Sequence, residues 1–314
     1  MKIINFNPEI DPAGVGWTLT DLINRYTEHE CVHVVMDRHY YMYPTHIHLR
    51  NSFMEPQELE QLFADSDVIH INQYPPVVNY RGLDLRDVIS KNWNKVIFEF
   101  HGAPELDFTG HPFVLEIKDK CPIILVHPYY KKWIPNGIVP SITTPVDTEN
   151  WTPIWRRKEP PYVCGKSSSS GEGKNFQEWL DLCRSIDGLE EYQIYKKTHK
   201  QCLQIKRDML DLGHDSYDLG YVNISAFENA CFGVPTLTSG KTDMPIFEET
   251  VENSGLPFED VRNNEEAEAL IRSWIKDPDL LNERSREVRA WMETYWSGKD
   301  CARIWTEIYK ENIK

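Results

Sequence analysis

Several side chains in this sequence have the chemistry to meet an anionic, hydroxyl-rich ligand: the carboxylate of Glu228, the ammonium groups of Lys166 and Lys174, and the imidazole of His101. Backbone freed by Gly14 and Gly16 adds to them. Glu228 lies in a stretch from Val222 to Cys231 where Val222, Ala226 and Ala230, with Phe227 and Cys231, recur at helical spacing before Gly233 and Pro235 stop the pattern. Its neighbours are Phe227, Ala230 and Cys231 rather than charges, so its face reads as partly buried and the carboxylate as a fixed acceptor for ligand hydroxyls. The alternative is the ordinary solvated helix glutamate. Thr236 to Thr238 follow as a brief strand ending at Ser239-Gly240.

The two lysines flank a loop of small residues. Tyr162 to Lys166 has strand character, Ser167 to Gly173 is a flexible run, and Lys174 opens a helix through about Ile186. A P-loop reading of Gly165-Lys166-Ser167 fails, because Pro160 stands where that motif needs its first glycine. What remains is a pair of cations beside a helix N-terminus, which suits a diphosphate; solvated lysines are the alternative. Gly14-Val15-Gly16 joins a first strand, Lys2 to Phe6, to a helix running from Gly16 to about Tyr26, where amides and the positive helix end let an anion approach closely. It lacks the third glycine of a dinucleotide fingerprint, and an ordinary turn is its plain alternative. His101 follows the strand run Val96 to Phe100, and could be a packed residue, a base, or a hydrogen-bond donor to an anion. His127, after Ile123 to Val126, is a decoy in the same kind of place.

The run Ser225 to Pro235 resembles the nucleotide-sugar signature of retaining GT-B glycosyltransferases of the GT4-like group. The resemblance implies that Glu228 holds the donor's ribose hydroxyls and that Lys166 and Lys174 lie on its diphosphate. It further implies that Gly14 and Gly16 border the phosphates and the acceptor, and that His101 stands beside the donor's sugar. The implied activity is transfer of a sugar, with retention, from a nucleotide sugar of UDP or GDP type to an unknown acceptor hydroxyl. The donor is a substrate, and neither a cofactor nor a metal is implied. The chain departs from the family at Gly220, where a second glutamate is usual eight residues before Glu228. Nearby Asp215 and Asp218 are substitutes for it or turn formers. That departure keeps open a GT-B-like nucleotide- or sugar-binding protein without transfer. A glycosyltransferase acting on modified DNA bases, and an epimerase or phosphorylase of the same architecture, also stay open.

The elements that must position these residues alternate as an α/β fold requires. Val32 to Met36, Val68 to Ile71, Val96 to Phe100 and Ile123 to Val126 are short apolar runs separated by helix-compatible segments, the pattern of a parallel sheet covered on both faces. Ligands of such sheets sit at the carboxyl ends of the strands. Ile138 to Trp151 has no periodicity and, with the charged, proline-ended run Trp155 to Pro161, marks a boundary within 145–160. Three parts are expected: an N-terminal Rossmann-like acceptor domain over 1–150, a C-terminal Rossmann-like nucleotide-sugar domain over 151–297, and a last helix over 298–314 that packs back on the first domain. With the resemblance, this is GT-B, two such domains facing across a cleft.

Further along, Tyr192 to Tyr195 reads as a strand and Lys200 to Leu210 as a helix. Asn264 to Lys276 is amphipathic, a second helix runs from Pro278 to about Trp296, and Asp300 caps the last, which carries Ile304, Trp305, Ile308 and Tyr309. His46 and His48 share a strand face with no third ligand in view, and read as a polar edge. In Asp277-Pro278-Asp279 the aspartate reads as a helix cap.

The chain of 314 residues carries 49 acidic against 34 basic side chains, a formal net charge of −15, which argues against a broad nucleic-acid backbone footprint. Its seven cysteines are scattered with no CxxC spacing, and no apolar run approaches the ~20 residues of a membrane span. A cytoplasmic chain without a transmembrane segment is expected.

Overall fold

The computed structural model describes residues 1–73, 78–101, 112–126, 130–131, 134–167, 176–215, 222–238 and 257–313. The chain divides into two compact units: Met1–Pro145 with Gly298–Lys314, and Val146–Ser297.

In the first unit the strands are β1 (Lys2–Asn7), β2 (Glu30–Val35), β3 (Ile47–His48) and β4 (Val68–Asn72). A small antiparallel pair, β5 (Asn79–Tyr80) and β6 (Leu83–Asp84), precedes β7 (Val96–Phe100) and β8 (Ile123–Leu125). Six of these form one parallel sheet in the order β3-β2-β1-β4-β7-β8. Chain order reverses between β1 and β4, so the crevice outside their carboxyl ends is the topological switch point. Helices α1 (Val15–Tyr26), α2 (Pro56–Asp65), α3 (Leu85–Ser90) and α4 (Pro112–Lys120) connect the strands. Phe6, Phe63, Phe98 and Phe100, all buried, fill the core with Leu59 and Ile69.

The last helix, α10 (Gly298–Asn312), belongs to this unit and packs on α1. Its Trp305 Nε1 donates to the Ile142 carbonyl at 3.1 Å. It begins at Gly298, which corrects the expectation of an Asp300 cap: Asp300 falls within the first turn, where a carboxylate still favours the helix dipole.

The second unit has β9 (Tyr162–Ser167), β10 (Leu189–Ile194), β11 (Leu212–His214), β12 (Thr236–Thr238) and β13 (Glu259–Asp260), all parallel in the order β10-β9-β11-β12-β13. Its switch point is between β9 and β11. Its helices among the described residues are α5 (Phe176–Ser185), α6 (His199–Asp208), α7 (Ile224–Cys231), α8 (Asn264–Lys276) and α9 (Pro278–Tyr295). Trp179, Tyr162, Leu212, Leu237 and Leu281 are at its centre. Asp277 caps α9 by accepting from the Asp279 amide, as expected. Arg289 on α9 is buried and donates to the carbonyls of Cys231, Thr148 (2.8 Å) and Trp151 (2.8 Å), tying the C-terminal end of α7 to the segment that enters the unit.

Gly16 shows why the start of α1 needs a glycine. A Cβ there would lie 2.6 Å from Asn7 Oδ1 and 3.0 Å from His33 Nε2, both buried and hydrogen-bonded to each other. Gly16→Ala is therefore expected to destabilise the protein by about 1–3 kcal/mol through overpacking, while Gly82→Ala, with nothing within 4 Å but a φ of +93°, costs about 1 kcal/mol from backbone strain alone. Urea denaturation of both variants checks the order; a Gly16→Ala protein as stable as wild type would show that the contact yields freely.

Candidate functional site

At the second unit's switch point, Lys166 on β9 stands in register with His214 on β11. Lys166 is buried, and its Nζ bonds His214 Nδ1 at 2.9 Å and the Asp215 carbonyl at 3.0 Å. Burial and the neighbouring ammonium push His214 well below its usual range, so its ring is neutral and able to accept that bond. The Asp215 carboxylate accepts from the amide (2.9 Å) and side chain (2.6 Å) of Asn223, just ahead of α7.

Glu228 is on α7, buried, with one oxygen 2.7 Å from His199 Nε2 and the other bound by Lys206 Nζ, both partners on α6. Lys206 also donates to the carbonyl (3.2 Å) and hydroxyl (2.9 Å) of Ser225. Burial works against ionisation of Glu228, but Lys206 and His199 outweigh it and hold the carboxyl down at about 2. It is a permanent anion at neutral pH, fixed in place by two cationic or proton-donating partners. The helical spacing predicted its buried face; the polar partners it needs there were not visible from α7 alone.

In the first unit, polar residues collect at the carboxyl ends of β1, β2, β4 and β7. Asp11, in the β1–α1 loop, accepts from the amides of Gly16 (3.0 Å) and Trp17 (2.9 Å), and Asn5 donates to the Gly16 carbonyl at 3.1 Å. The expectation that amides here stand free for an anion is thus corrected: a carboxylate of the chain already holds the Gly16 amide. Gly14 supplies a left-handed residue (φ +73°) with the Tyr43 ring packed where a Cβ would be. Burial pushes Asp11 up to about 7 against the pull of its two amide bonds, and pushes His33, 3.5 Å away, down to about 3.

His101, mostly buried, has Nε2 3.2 Å from Glu99 Oε1, and His70 Nε2 approaches the other Glu99 oxygen at 2.9 Å. His70 Nδ1 is in turn 2.8 Å from the Tyr309 hydroxyl on α10. Burial opposes the charge on Glu99, yet the two imidazoles bring it down to about 2. His101 is the outermost member of a buried series running from the C-terminal helix to the end of β7.

The structure thus gathers Glu228 with His199 and Lys206, Lys166 with His214, and His101 with Glu99, His70 and Asp11. Lys174, Gly220, Asp218 and His127 lie outside the described residues. Asp11, His33, Glu99, His70, His199, Lys206 and Tyr309 were missed in the sequence. One signal was present: Asn5, Asn7, His33, His70, Asn72 and Glu99 interrupt apolar strands, and a polar residue inside a buried strand must find a partner. Among the described residues no cluster of His, Cys, Asp and Glu is arranged to hold a metal. His46 Nδ1 accepts from the His33 amide at 3.0 Å, and His48 Nδ1 is 3.1 Å from Asn51 Nδ2.

No protein-family model and no curated protein matches the sequence. Solved structures do. An α-glucosyltransferase in complex with UDP and a 13-mer DNA containing an HMU base aligns over 99% of both chains with a TM-score of 0.72 at 13% identity. Anabaena Alr3699/HepE in complex with UDP and glucose aligns over 99% of this chain and 100% of its own, with TM-score 0.66 and 11% identity. A glycosyltransferase from Rickettsia africae ESF-5 aligns over 99% and 98%, with TM-score 0.60 and 11% identity. The likeness shows the fold expected from the sequence, α/β of GT-B type with two Rossmann-like units. No helix among the described residues is long and apolar enough to cross a membrane.

Two outcomes test the electrostatics. Glu228→Ala leaves the Lys206 ammonium, 1% exposed, without its counter-charge, and is expected to cost about 3–5 kcal/mol of stability; Glu228→Ala combined with Lys206→Met recovers most of it, and an additive double variant in thermal melts would contradict the pairing. Asp11 has a folded pKa above its unfolded one, so its contribution is fully present below about pH 4 and is lost as pH rises to about 7. The stability of wild type minus that of Asp11→Asn should therefore be larger at pH 5 than at pH 8, by on the order of 2 kcal/mol. Urea midpoints at the two pH values measure it, and parallel behaviour would show that Asp11 ionises normally.

Proposed function

We propose that this chain is a glycosyltransferase that binds a nucleotide sugar, of UDP or GDP type, through its second unit and an acceptor hydroxyl through its first. The observation that carries the reading is Glu228: a buried carboxylate, held ionised by Lys206 and His199 on a helix that follows a switch-point strand. An ionised carboxylate has about four acceptor sites, so one fixed by two partners can still take the vicinal hydroxyls of a ribose. The end-to-end likeness to structures described as glycosyltransferases, two of them with UDP bound, supports the same reading.

The roles of the other residues follow from charge. Lys166 places an ammonium at the β9–β11 switch point, where it opposes negative charge developing on a departing diphosphate. Lys174, which the sequence alone places ahead of that helix, is proposed to share that task. His101, backed by the Glu99 carboxylate, is proposed to donate a hydrogen bond beside the transferred sugar. Gly14 and Gly16 shape the loop, and Asp11, with a pKa near neutrality, can meet a ligand oxygen as a protonated acid. Retention at the anomeric carbon and independence of metal and cofactor are part of the proposal.

A second reading, transfer to a modified DNA base, is favoured by the DNA-bound α-glucosyltransferase structure; the net charge of −15 opposes it. Retention on DNA cellulose at physiological salt would select it. A nucleotide-binding protein without transfer is the third, motivated by Gly220.

The test is turnover of UDP- and GDP-sugars, followed as released nucleoside diphosphate in the presence of EDTA. Glu228→Gln, which keeps shape, is expected to raise the donor KM about ten- to a hundredfold, the loss of a charged hydrogen bond made alike in ground and transition states. His101→Ala is expected to lower kcat instead. Nucleotide binding with no turnover on any acceptor would replace the proposal with the binding-protein reading.

A further inference from the structure

The second unit has a cavity of about 490 Å³ at the amino ends of its strands. Its walls come from the segment ahead of β9 (Ile154 to Lys158), from Arg207 and Leu210 ahead of β11, from Phe232 ahead of β12, and from α9 between Asp279 and Arg286. Since all strands are parallel, this edge is opposite the one where Lys166 and His214 stand, about 13 Å along β9 from Tyr162 to Lys166 at a strand's ordinary rise. The cavity is therefore distinct from the candidate donor site.

Five basic side chains line it, Arg156, Arg157, Lys158, Arg207 and Arg286, against two acidic ones, Asp279 and Glu283, in a chain whose net charge is −15. Part of that excess is structural. Arg156 donates to the carbonyls of Met209 and Leu210 and pairs with Asp211 at 3.0 Å; buried Lys158 donates to the carbonyls of Asp211 (2.9 Å) and Gly233 (3.2 Å). Arg207 pairs with Asp208 at 2.6 Å. Two guanidinium groups are not accounted for in this way. Arg157 is 62% exposed and shared between the exposed carboxylates of Glu159 and Asp279, pairs worth little in water. Arg286 is exposed and forms no ion pair with a described residue. Beside them Trp155, 54% exposed, has its six-membered ring seated against Gly233, where a Cβ would come within 3.1 Å of it.

We propose that this cavity is a second ligand site, for a small phosphorylated molecule with a planar ring, a nucleotide rather than a sugar phosphate. Its size is that of a small-molecule site. Arg157 and Arg286 offer the planar forks that match phosphate oxygens. Trp155 offers an aromatic face held by backbone on one side. The site is independent of the glycosyltransferase reading.

The test is isothermal titration of the full chain with pyrophosphate and with ATP at low salt. Both are expected to bind, ATP at least tenfold more tightly. The double variant Arg157→Ala/Arg286→Ala should weaken both at least tenfold, and Trp155→Ala should weaken ATP to the level of pyrophosphate. Any additional isotherm that Glu228→Gln weakens and the arginine variant leaves alone belongs to the candidate donor site. The three substituted side chains are exposed, so unchanged melting curves show that the variants are folded. Failure of ATP to bind, the absence of any isotherm that loss of both arginines weakens, or ATP no tighter than pyrophosphate at that isotherm would each overturn the assignment.

Discussion

A carboxylate without access to water must be neutralised, paired or surrounded by donors, and this single constraint organises the carboxyl edge of both units. Glu228 and Glu99 meet it in the same way. Each has one nitrogen-bearing side chain at each oxygen, Lys206 and His199 for Glu228, His70 and His101 for Glu99, and each is held at about 2. Asp11 meets it differently. Its two oxygens are given to backbone amides, its histidine neighbour His33 is itself kept neutral by burial, and the carboxyl ends near 7. The same functional group therefore serves as a permanent anion at two places and as an acid poised near neutrality at a third, and the difference is set by whether the partner is a charge or a dipole.

The alternation of elements, the parallel sheets and the position of Glu228 on a buried helix were legible in the sequence because they depend on periodicity and on glycine and proline, which act locally. Val96–Phe100 emerged as a strand with the ends expected, and α8 as a helix over Asn264–Lys276. The partners were not legible, because they come from elsewhere in the chain. His199 and Lys206 are 29 and 22 residues before Glu228 and meet it only once α6 packs on α7; Tyr309 reaches His70 across 239 residues. The case of Gly16 is instructive in another way. A glycine before a helix allows either a ligand approach or an ordinary turn, and the structure uses it to bring the helix backbone against Asn7 and His33 and to let Asp11 cap the amides. The sequence signal for close backbone approach was correct; what approaches is the protein itself.

The two edges of the second unit's sheet follow opposite electrostatic rules. In a βα succession the helix amino ends face the carboxyl edge, so that edge is favourable to anions through backbone dipoles, and a buried cation such as Lys166 suffices there. The amino edge collects the helix carboxyl ends and their carbonyls. Arg156 and Lys158 are explained by that alone: they satisfy the carbonyls of residues 209–211 and 233, where α6 and α7 have ended. Burial lowers Lys158 to about 7, with Asp211 supporting its charge and Arg156 opposing it, so one more cation nearby raises the cost of keeping it protonated. Arg157 and Arg286 stand around the same cavity without such a carbonyl to satisfy. Exposed guanidinium groups that satisfy no helix end keep their donors available to an anion, which distinguishes these two from the basic residues that only balance helix ends.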